Sequence, residues 1–327
     1  MTLSNEWLLS RRALLAGTAA ATFSASVSAL ARAPMINAPA PAFYRFRIGK
    51  FEATAVSDGP LDLGAPQPDI FKGVSKEDFG KTLTENFLPT DKVRLEQNAL
   101  VINTGDQLVL IDTGTGARQL MGPDSGRLLA NLKAAGIDPK DIDAVALTHA
   151  HPDHCWALIA DDGAKNFPNA KVFMAQEEFE FWTDLSNAPN DMMKSFIEGT
   201  RKQLLPLRER IEFFKDGQEF ISGIQAIAAP GHTVGHTIFM ISSEGKNLCN
   251  VGDLAHHHVI PVERPQLAFA YDTDGQQGAR TRQRMFGMLA AQRIAILAYH
   301  FPWPGIGHLA KQGAGFRYYP SPIQTAL

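Results

Sequence analysis

Three histidines and one aspartate lie within six consecutive positions of this chain, His149-Ala150-His151-Pro152-Asp153-His154. The segment follows a short apolar run at residues 144–147 that is typical of a buried strand. Imidazole and carboxylate groups together are ligands for zinc, manganese or iron rather than for calcium or magnesium. A lone His-x-His would indicate a histidine-rich surface loop, but this spacing after a strand indicates a transition-metal site.

Three further candidate ligands each follow a predicted strand elsewhere in the chain. They are His232 after residues 224–229, Asp253 after 247–251 and His300 after 294–299. Because loops at one edge of a sheet collect in one place, we expect these side chains to meet the first cluster. The histidines that do not end a strand are expected to be structural or solvent-facing, and they are His236, His257, His258 and His308.

The elements that must position these residues combine hairpins with strand–helix alternation. Strands are predicted at residues 43–48, 51–56, 98–103, 107–112, 144–147, 171–174, 224–229, 237–242, 247–251 and 294–299. Helices are predicted at residues 76–87, 127–135, 177–184, 191–210 and 275–292. This mixture predicts an α+β fold with mixed sheets covered by helices, not an all-parallel doubly wound sheet. Residues 34–327 contain no short-period repeat or clear linker and are predicted to form one domain.

Composition argues against several classes of protein. The chain has 327 residues, 45% of them hydrophobic, and a formal net charge of -3, so it can bury a large core but offers no basic face for nucleic acid. The predicted domain has no uninterrupted apolar run of membrane-spanning length. The two cysteines, Cys155 and Cys249, are too few for a disulfide framework, and we expect two thiols. Cys155 is interpreted as a small packing residue rather than as a nucleophile.

Residues 1–33 have the pattern of an export signal. Arg11-Arg12 precedes a modest apolar stretch, and Ala29-Leu30-Ala31 and Ala31-Arg32-Ala33 both fit an A-x-A cleavage site. The alternative is a helical or disordered N-terminus of a cytoplasmic protein. The pattern favours a Tat-type signal peptide, which predicts a periplasmic or secreted enzyme that folds around its metal before export.

The order of these motifs resembles the metallo-β-lactamase superfamily. The matching elements are H-x-H-x-D-H at 149–154, P-G-H-T-x-G-H-T at 230–237, Gly252-Asp253, the late His300 and the early Asp112-Thr113-Gly114 turn. Further stretches resemble the branch that holds methyl parathion hydrolase and related lactonases and aryl esterases. They include Phe43-Tyr44-Arg45, Ser57-Asp58-Gly59, Gly126-Arg127-Leu128 and residues 301–308. The resemblance runs from Phe43 to Tyr319 and implies an αββα sandwich with a metal site at one edge.

The resemblance also implies the role of each site residue. His149, His151 and His232 would hold one metal ion, and Asp153, His154 and His300 a second. Asp253 would bridge the two, and two divalent ions per chain are expected, with zinc as the default and manganese, iron or cobalt able to substitute. Asp112 would orient a ligand histidine, and His236 would support the loop that presents His232. A homodimer is expected by resemblance alone.

The implied reaction is hydrolysis by a hydroxide that bridges the two metals, with one metal polarising the substrate oxygen. The candidate catalytic residues are Asp253, Asp153 and His256. The candidate pocket residues are mostly aromatic and apolar, which favours a hydrophobic substrate, and they are Met121, Phe179, Trp182, Phe196, Phe269 and Tyr271.

Two departures from the phosphotriesterase-type members bear on the substrate. His256 stands where an aliphatic residue is expected, and the bulky Tyr271 stands where a smaller side chain would leave room for a tetrahedral phosphotriester. Both favour a flat lactone or aryl ester, with organophosphate hydrolysis as a side activity. The alternative is an organophosphate triester hydrolase. A β-lactamase is less favoured because such enzymes lack the bridging aspartate, and an iron-dependent redox member is less favoured because this chain has no flavin domain.

Overall fold

A computed structural model describes residue 35, residues 40–118 and residues 122–324 of the chain. The fold described below lies in the compact unit Pro41–Leu327. The predicted export signal at residues 1–33 and the predicted pocket residue Met121 lie outside the described residues. No helix in the described part of the chain is long and apolar enough to span a membrane.

The described strands, numbered along the chain, are β1 Phe43–Ile48, β2 Phe51–Ser57, β3 Leu61–Asp62, β4 Phe71–Lys72, β5 Arg94–Leu95, β6 Asn98–Asn103, β7 Leu108–Ile111, β8 Ala144–Ala146, β9 Lys171–Ala175, β10 Ile211–Phe214, β11 Glu219–Ile221, β12 Ile224–Ala228, β13 Thr237–Ser243, β14 Lys246–Asn250, β15 Ala268–Phe269, β16 Ala295–Leu297, β17 Ile306–Gln312 and β18 Gly315–Pro320. The described α-helices are α1 Lys76–Glu85, α2 Leu128–Ala134, α3 Pro152–Cys155, α4 Gln176–Thr183, α5 Asp191–Leu204, α6 Ile260–Glu263 and α7 Gly275–Ala291.

The strands form two seven-stranded mixed sheets. The first has the order β1-β2-β6-β7-β8-β9-β10 and the second the order β11-β12-β13-β14-β16-β17-β18. The pairs β7–β8, β8–β9, β9–β10 and β14–β16 are parallel, and the other neighbours are antiparallel. Two short ribbons, β3–β5 and β4–β15, lie outside these sheets.

The side chains of strand β6 show how the two sheets and the helices pack together. Its residues alternate between two apolar clusters, with Ala99 and Val101 in one and Leu100 and Ile102 in the other. Because side chains alternate across a strand, both faces of the first sheet are buried. One face packs on the second sheet, and the other is covered by helices that include α2 and α5. Helix α7 covers the outer face of the second sheet, so the predicted αββα arrangement of mixed sheets is confirmed.

Several elements differ from the sequence prediction. The helix predicted at 191–210 ends at Leu204, because the ring of Pro206 removes a backbone N–H and disfavours helix at the preceding residue. A 3₁₀ turn at Leu205–Arg210 follows and leads into β10, a strand that the sequence did not predict. The hairpin β17–β18 was also missed, since residues 302–307 are rich in proline and glycine and the exposed face of β17 is polar.

Candidate metal centre and cavity

The candidate ligands follow strands of both sheets and meet around the carboxylate of Asp253. His149 follows β8 of the first sheet, whereas His232, Asp253 and His300 follow β12, β14 and β16 of the second. The distances from Asp253 Oδ2 to the histidine Nε2 atoms are 3.1 Å for His300, 3.3 Å for His154, 3.4 Å for His232 and 3.7 Å for His149. The structure therefore brings the predicted ligands together, with Asp253 at the centre.

The donor atoms form two adjacent groups, and a third set, Asp253, His256 and His300, overlaps them. In the first, His151 Nδ1 lies 3.1 Å from His149 Nε2 and 3.0 Å from His232 Nε2. In the second, Asp153 Oδ2 lies 3.5 Å from His154 Nε2 and 3.4 Å from His300 Nε2. Asp253 belongs to the first group, and within each group all donor atoms lie within 4.8 Å of one another. The side chains of both groups are buried.

Hydrogen bonds on the far side of each ring determine which nitrogen faces the centre. His232 Nδ1 is 2.9 Å from Asp272 Oδ1, His154 Nδ1 is 2.9 Å from Asp112 Oδ2, and His300 Nδ1 is 2.8 Å from the carbonyl of Glu96. Each of these partners can only accept, so each Nδ1 carries the proton. Their Nε2 atoms therefore point at one another and at the carboxylate of Asp253, an arrangement that a bound cation makes favourable.

The spacing and chemistry of the donors fit divalent transition metals. A tetrahedral site with metal–nitrogen bonds of about 2.0–2.1 Å has donor–donor edges of about 3.3–3.4 Å. The separations between donors in both groups lie close to these edges. Within the described residues, His154 Nε2 and Asp253 Oδ1 are buried without a hydrogen-bond partner. Such atoms are costly to bury unless they bind an ion.

Charge at the centre also suits cation binding. Burial opposes ionisation of Asp253, but His154 and His300 outweigh it and hold the pKa of this carboxyl well below its usual range. Burial lowers the pKa of His149 and His151, so these rings are neutral at neutral pH. Neutral imidazole and ionised carboxylate are the forms that bind metal.

The two predicted supporting residues hold the loops of the centre. Asp112 accepts hydrogen bonds from His154 and, at 2.8 Å, from the backbone N–H of Thr148. His236 donates from Nδ1 to the carbonyl of Ala229, and its Nε2 accepts from the backbone N–H of Asp253, each at 3.0 Å. Burial lowers the pKa of His236 to about 3, which keeps its Nε2 free to accept. His236 thus joins the strand end before His232 to the Asp253 loop.

Two buried acids of the site were missed by the sequence analysis. Glu178 of α4 accepts the backbone N–H of Ala150 at 2.9 Å and that of Gly235 at 2.8 Å, and so ties the His149–His154 loop to the loop after His232. Asp272 accepts the ring N–H of His232. In sequence, Glu178 looks like an ordinary acid in the first turn of a helix, and Asp272 lies in a polar loop, so neither gave a signal.

A cavity of about 690 Å³ opens onto the centre. Its polar end contains His151, Asp153, His232, Asp253, His256 and His300. Its apolar walls contain Leu61, Leu63, Leu95, Trp156, Met192, Phe196, Phe269 and Tyr271. The cavity therefore offers donors for metal and a surface for an apolar group, and its lining also includes the polar residues Asp161, Ser195, Glu198, Lys202 and Gln203.

His256 lies at the junction of these two surfaces. Its Nε2 is 3.1 Å from Asp253 Oδ2, and its ring stacks on Phe269 with centroids 3.6 Å apart and an angle of 14°. Burial lowers the pKa of His256 to about 4, so the ring is neutral at neutral pH. It can donate one N–H to a ligand but does not act as a charged acid.

The predicted pocket residues divide into two sets. Phe196, Phe269 and Tyr271 line the cavity, as His256 does. Phe179 and Trp182 do not, which corrects the sequence prediction. Helix α4 buries Trp182 in the core, edge-on against His151 at 5.0 Å, whereas Phe179 is half-buried and packs against Phe213 at 5.6 Å.

Cys155 is a core residue. Its thiol is fully buried beside the carbonyl of Ala150, with a separation of 3.4 Å, and burial raises its pKa far above the usual value. A thiol that stays protonated is a poor nucleophile. Both Cys155 and Cys249 are free thiols.

Comparisons with known proteins agree with this geometry. A family model described as the metallo-beta-lactamase superfamily matches residues 93–295. The N-acyl homoserine lactonase AttM of Azorhizobium caulinodans is 31% identical over 127 residues, which cover 37% of this chain and 44% of AttM. The match thus spans less than half the length of that curated relative.

Two solved structures resemble the whole fold. AidC, a dizinc quorum-quenching lactonase in complex with a product, is 27% identical with a TM-score of 0.81, covering 86% of this chain and 98% of AidC. The hydrolase AbOPH of the beta lactamase superfamily is 30% identical with a TM-score of 0.81, covering 88% of this chain and 100% of AbOPH.

Proposed function

Because this chain belongs to the metallo-β-lactamase superfamily, we propose that it is a binuclear metal-dependent hydrolase of hydrophobic lactones. The observation that carries the proposal is the position of the two donor groups, which lie side by side at the polar end of an apolar cavity. The similarity to AidC and AttM supports lactones as the substrate class.

Two zinc ions per chain are the proposed cofactor. His149, His151 and His232 would hold one ion, Asp153, His154 and His300 the other, and Asp253 would contact both. When bound, such ions generate a nucleophile from water near neutral pH and withdraw electrons from a carbonyl oxygen. Asp253 supports this assignment, because its Oδ2 lies within 3.7 Å of histidine donors from both groups and its Oδ1 has no partner among the described residues.

The cavity supports a substrate with a small polar head and an apolar body. A lactone ring at the polar end would meet the donor groups and His256, while an apolar substituent would contact Leu61, Phe196 and Met192. Phe269 and Tyr271 form one aromatic wall beside His256, with their ring centroids 5.5 Å apart. A flat ring fits such a wall better than a tetrahedral phosphorus with three substituents.

His256 is proposed to assist ring opening. Hydrolysis of a lactone breaks the bond between the acyl carbon and the ring oxygen, which leaves as an alkoxide or phenoxide that needs a hydrogen bond or a proton. A neutral His256 beside Asp253 can donate one N–H to that oxygen, because its Nδ1 has no hydrogen-bond partner within the described residues. Asp253 and Asp153 would contribute by holding the metal ions.

A panel of substrates with purified, zinc-loaded enzyme tests the proposal. It contains an aryl lactone, an N-acyl homoserine lactone, 4-nitrophenyl acetate, methyl paraoxon and a cephalosporin, assayed with and without a chelator. Chelator-sensitive lactone turnover with the highest kcat/KM is the expected result. The highest kcat/KM with methyl paraoxon would establish the second candidate, an organophosphate triester hydrolase, which the size and apolar walls of the cavity also accommodate. Absence of metal-dependent hydrolysis of the whole panel would refute both.

The location of the enzyme is a separate proposal. The twin arginine at Arg11-Arg12 and the two A-x-A sites support removal of residues 1–33 during Tat export, leaving residues 34–327 as a single-domain periplasmic or secreted enzyme.

A further inference from the structure

Asp272 makes two short hydrogen bonds from one buried carboxylate. Its Oδ1 accepts the ring N–H of His232 at 2.9 Å, and its Oδ2 accepts the backbone N–H of Phe269 at 2.8 Å. Its side chain is only 1% exposed. One partner faces the metal centre and the other is part of the cavity wall, so a single side chain contacts both parts of the site.

The backbone that follows Asp272 also contacts the turn that carries His232. The N–H of Thr273 donates to the carbonyl of His232 at 2.8 Å, and that of Asp274 donates to the carbonyl of Gly231 at 2.9 Å. A Cβ atom at Gly231 would lie 2.1 Å from the backbone nitrogen of Gly278, so only glycine allows this turn to approach α7 so closely. The turn that carries His232 is therefore closely packed against the segment that carries Asp272.

Arg282 of α7 fixes the other end of that segment. This buried guanidinium donates to the carbonyl of Leu267 at 2.6 Å and also to that of Leu254, the residue after Asp253. The cavity wall at Phe269 is thus held at one end by Arg282 and at the other by Asp272. The backbone of Phe269, which also pairs with β4, is therefore held in place beside His256.

From this geometry we infer that Asp272 is a positioning residue that couples the orientation of His232 toward the metal to the position of the Phe269 wall of the cavity. The inference rests on the proposed function, since it assigns a role to Asp272 within that site. By holding the proton on Nδ1, the carboxylate keeps the lone pair of His232 Nε2 available to bind a metal ion. By accepting the N–H of Phe269, it holds the ring that stacks on His256.

Replacing Asp272 by asparagine tests the two hydrogen bonds while keeping the size of the side chain. An asparagine side chain has nearly the same shape but only one acceptor oxygen, so it cannot accept from both His232 and Phe269. In either amide orientation one contact is lost. If the amide nitrogen faces His232, the ring is driven toward the tautomer that carries its proton on Nε2.

The test compares zinc dissociation constants, measured by competition with a chelator, and the visible spectrum of the cobalt-substituted protein. Asp272→Asn should weaken zinc binding by about 10- to 100-fold, the usual effect of losing such a partner. Its cobalt spectrum should differ from that of the wild type, and its KM for an aryl lactone should rise. Phe269→Ala should raise KM while leaving zinc affinity and the cobalt spectrum unchanged.

Asp274→Asn is the matched control. Asp274 lies two residues away and also accepts a backbone N–H, that of Gln277 at the start of α7, but its side chain makes no described contact with His232. This variant should leave both zinc affinity and thermal stability close to those of the wild type, because asparagine caps a helix about as well as aspartate. Equal weakening of zinc binding by Asp272→Asn and Asp274→Asn would overturn the inference, because it would show that both substitutions only loosen the packing of this segment.

Two other results would overturn the inference and leave the proposed function intact. One is wild-type zinc affinity and cobalt spectrum in Asp272→Asn. The other, which needs no variant and so applies even if Asp272→Asn does not fold, is a ¹H–¹⁵N spectrum of the zinc-loaded wild type without a proton on His232 Nδ1. A wild-type protein that binds no zinc would instead overturn the proposed function together with the inference.

Discussion

His256→Leu is the substitution expected to separate lactone from phosphotriester hydrolysis. His256 is buried at the junction of the metal centre and the apolar wall, and burial lowers its pKa to about 4. It can therefore supply one N–H to the oxygen that leaves a lactone. A nitrophenolate leaving group is already stable and needs no such donor.

The size of the effect follows from the bond that is lost. A hydrogen bond to a charged group contributes about 1.5–3 kcal/mol, and about 1.4 kcal/mol corresponds to a factor of ten in rate. His256→Leu should therefore lower kcat/KM for an aryl lactone by about 10- to 100-fold. Turnover of a nitrophenyl phosphotriester should stay the same or rise, because leucine adds an apolar surface next to Phe269.

The assay is kcat/KM for both substrates at saturating zinc, with bound metal measured on the same samples. His258→Leu is the matched control, because His258 is two positions away and does not line the 690 Å³ cavity; it should leave both rates unchanged. Equal losses on the two substrates, accompanied by loss of metal, would refute the reasoning. His256 would then only support the loop of Asp253.

Three further predictions test the metal centre, a buried acid and export. Asp253→Ala should retain fewer than two metal ions per chain by elemental analysis, because two cations would face each other without the shared carboxylate; a wild-type chain with one tightly held iron would contradict the binuclear centre. Burial raises the pKa of Asp58 to about 6, so its contribution to stability is present in acid and is lost as the pH rises through 6. Relative to Asp58→Asn, the metal-free wild type should lose about 3 kcal/mol of unfolding free energy between pH 3 and pH 8, measured with urea, and an unchanged difference would contradict this. Replacing Arg11 and Arg12 by lysine should block removal of residues 1–33 in a host with Tat export, as measured by intact mass, whereas normal shortening of the variant would argue against the signal.

The strands that carry the site could be predicted because their pattern is local. Mainly apolar runs of four to six residues that lead into a histidine or Gly-Asp pointed to β8, β12, β14 and β16, and the structure gives all four. The mixed sheets followed from the hairpins in the sequence. By contrast, β10 and the β17–β18 hairpin have polar or mixed patterns whose burial depends on neighbours far along the chain.

The supporting acids could not be predicted, because their function exists only in the folded chain. Glu178 lies 28 residues from Ala150 and 57 from Gly235, and Asp272 lies 40 residues from His232. Nothing local distinguishes them from exposed acids such as Glu177 or Asp274. Phe179 and Trp182 were wrongly predicted to line the pocket because the sequence does not show which way α4 faces. In the structure, Trp182 lies on the core side of His151.

The centre depends on how the loop of Asp253 is held, more than on the ligands alone. His236 accepts the N–H of Asp253, Arg282 donates to the carbonyl of Leu254, and the N–H of Tyr299 approaches the carbonyl of Gly252 at 3.4 Å. These contacts come from three different segments, so the backbone that carries this carboxylate is held by the protein itself. Preorganised donors lose little entropy when they bind a ligand, so the contacts that hold this loop would favour metal binding at the end of the cavity where Asp253 lies.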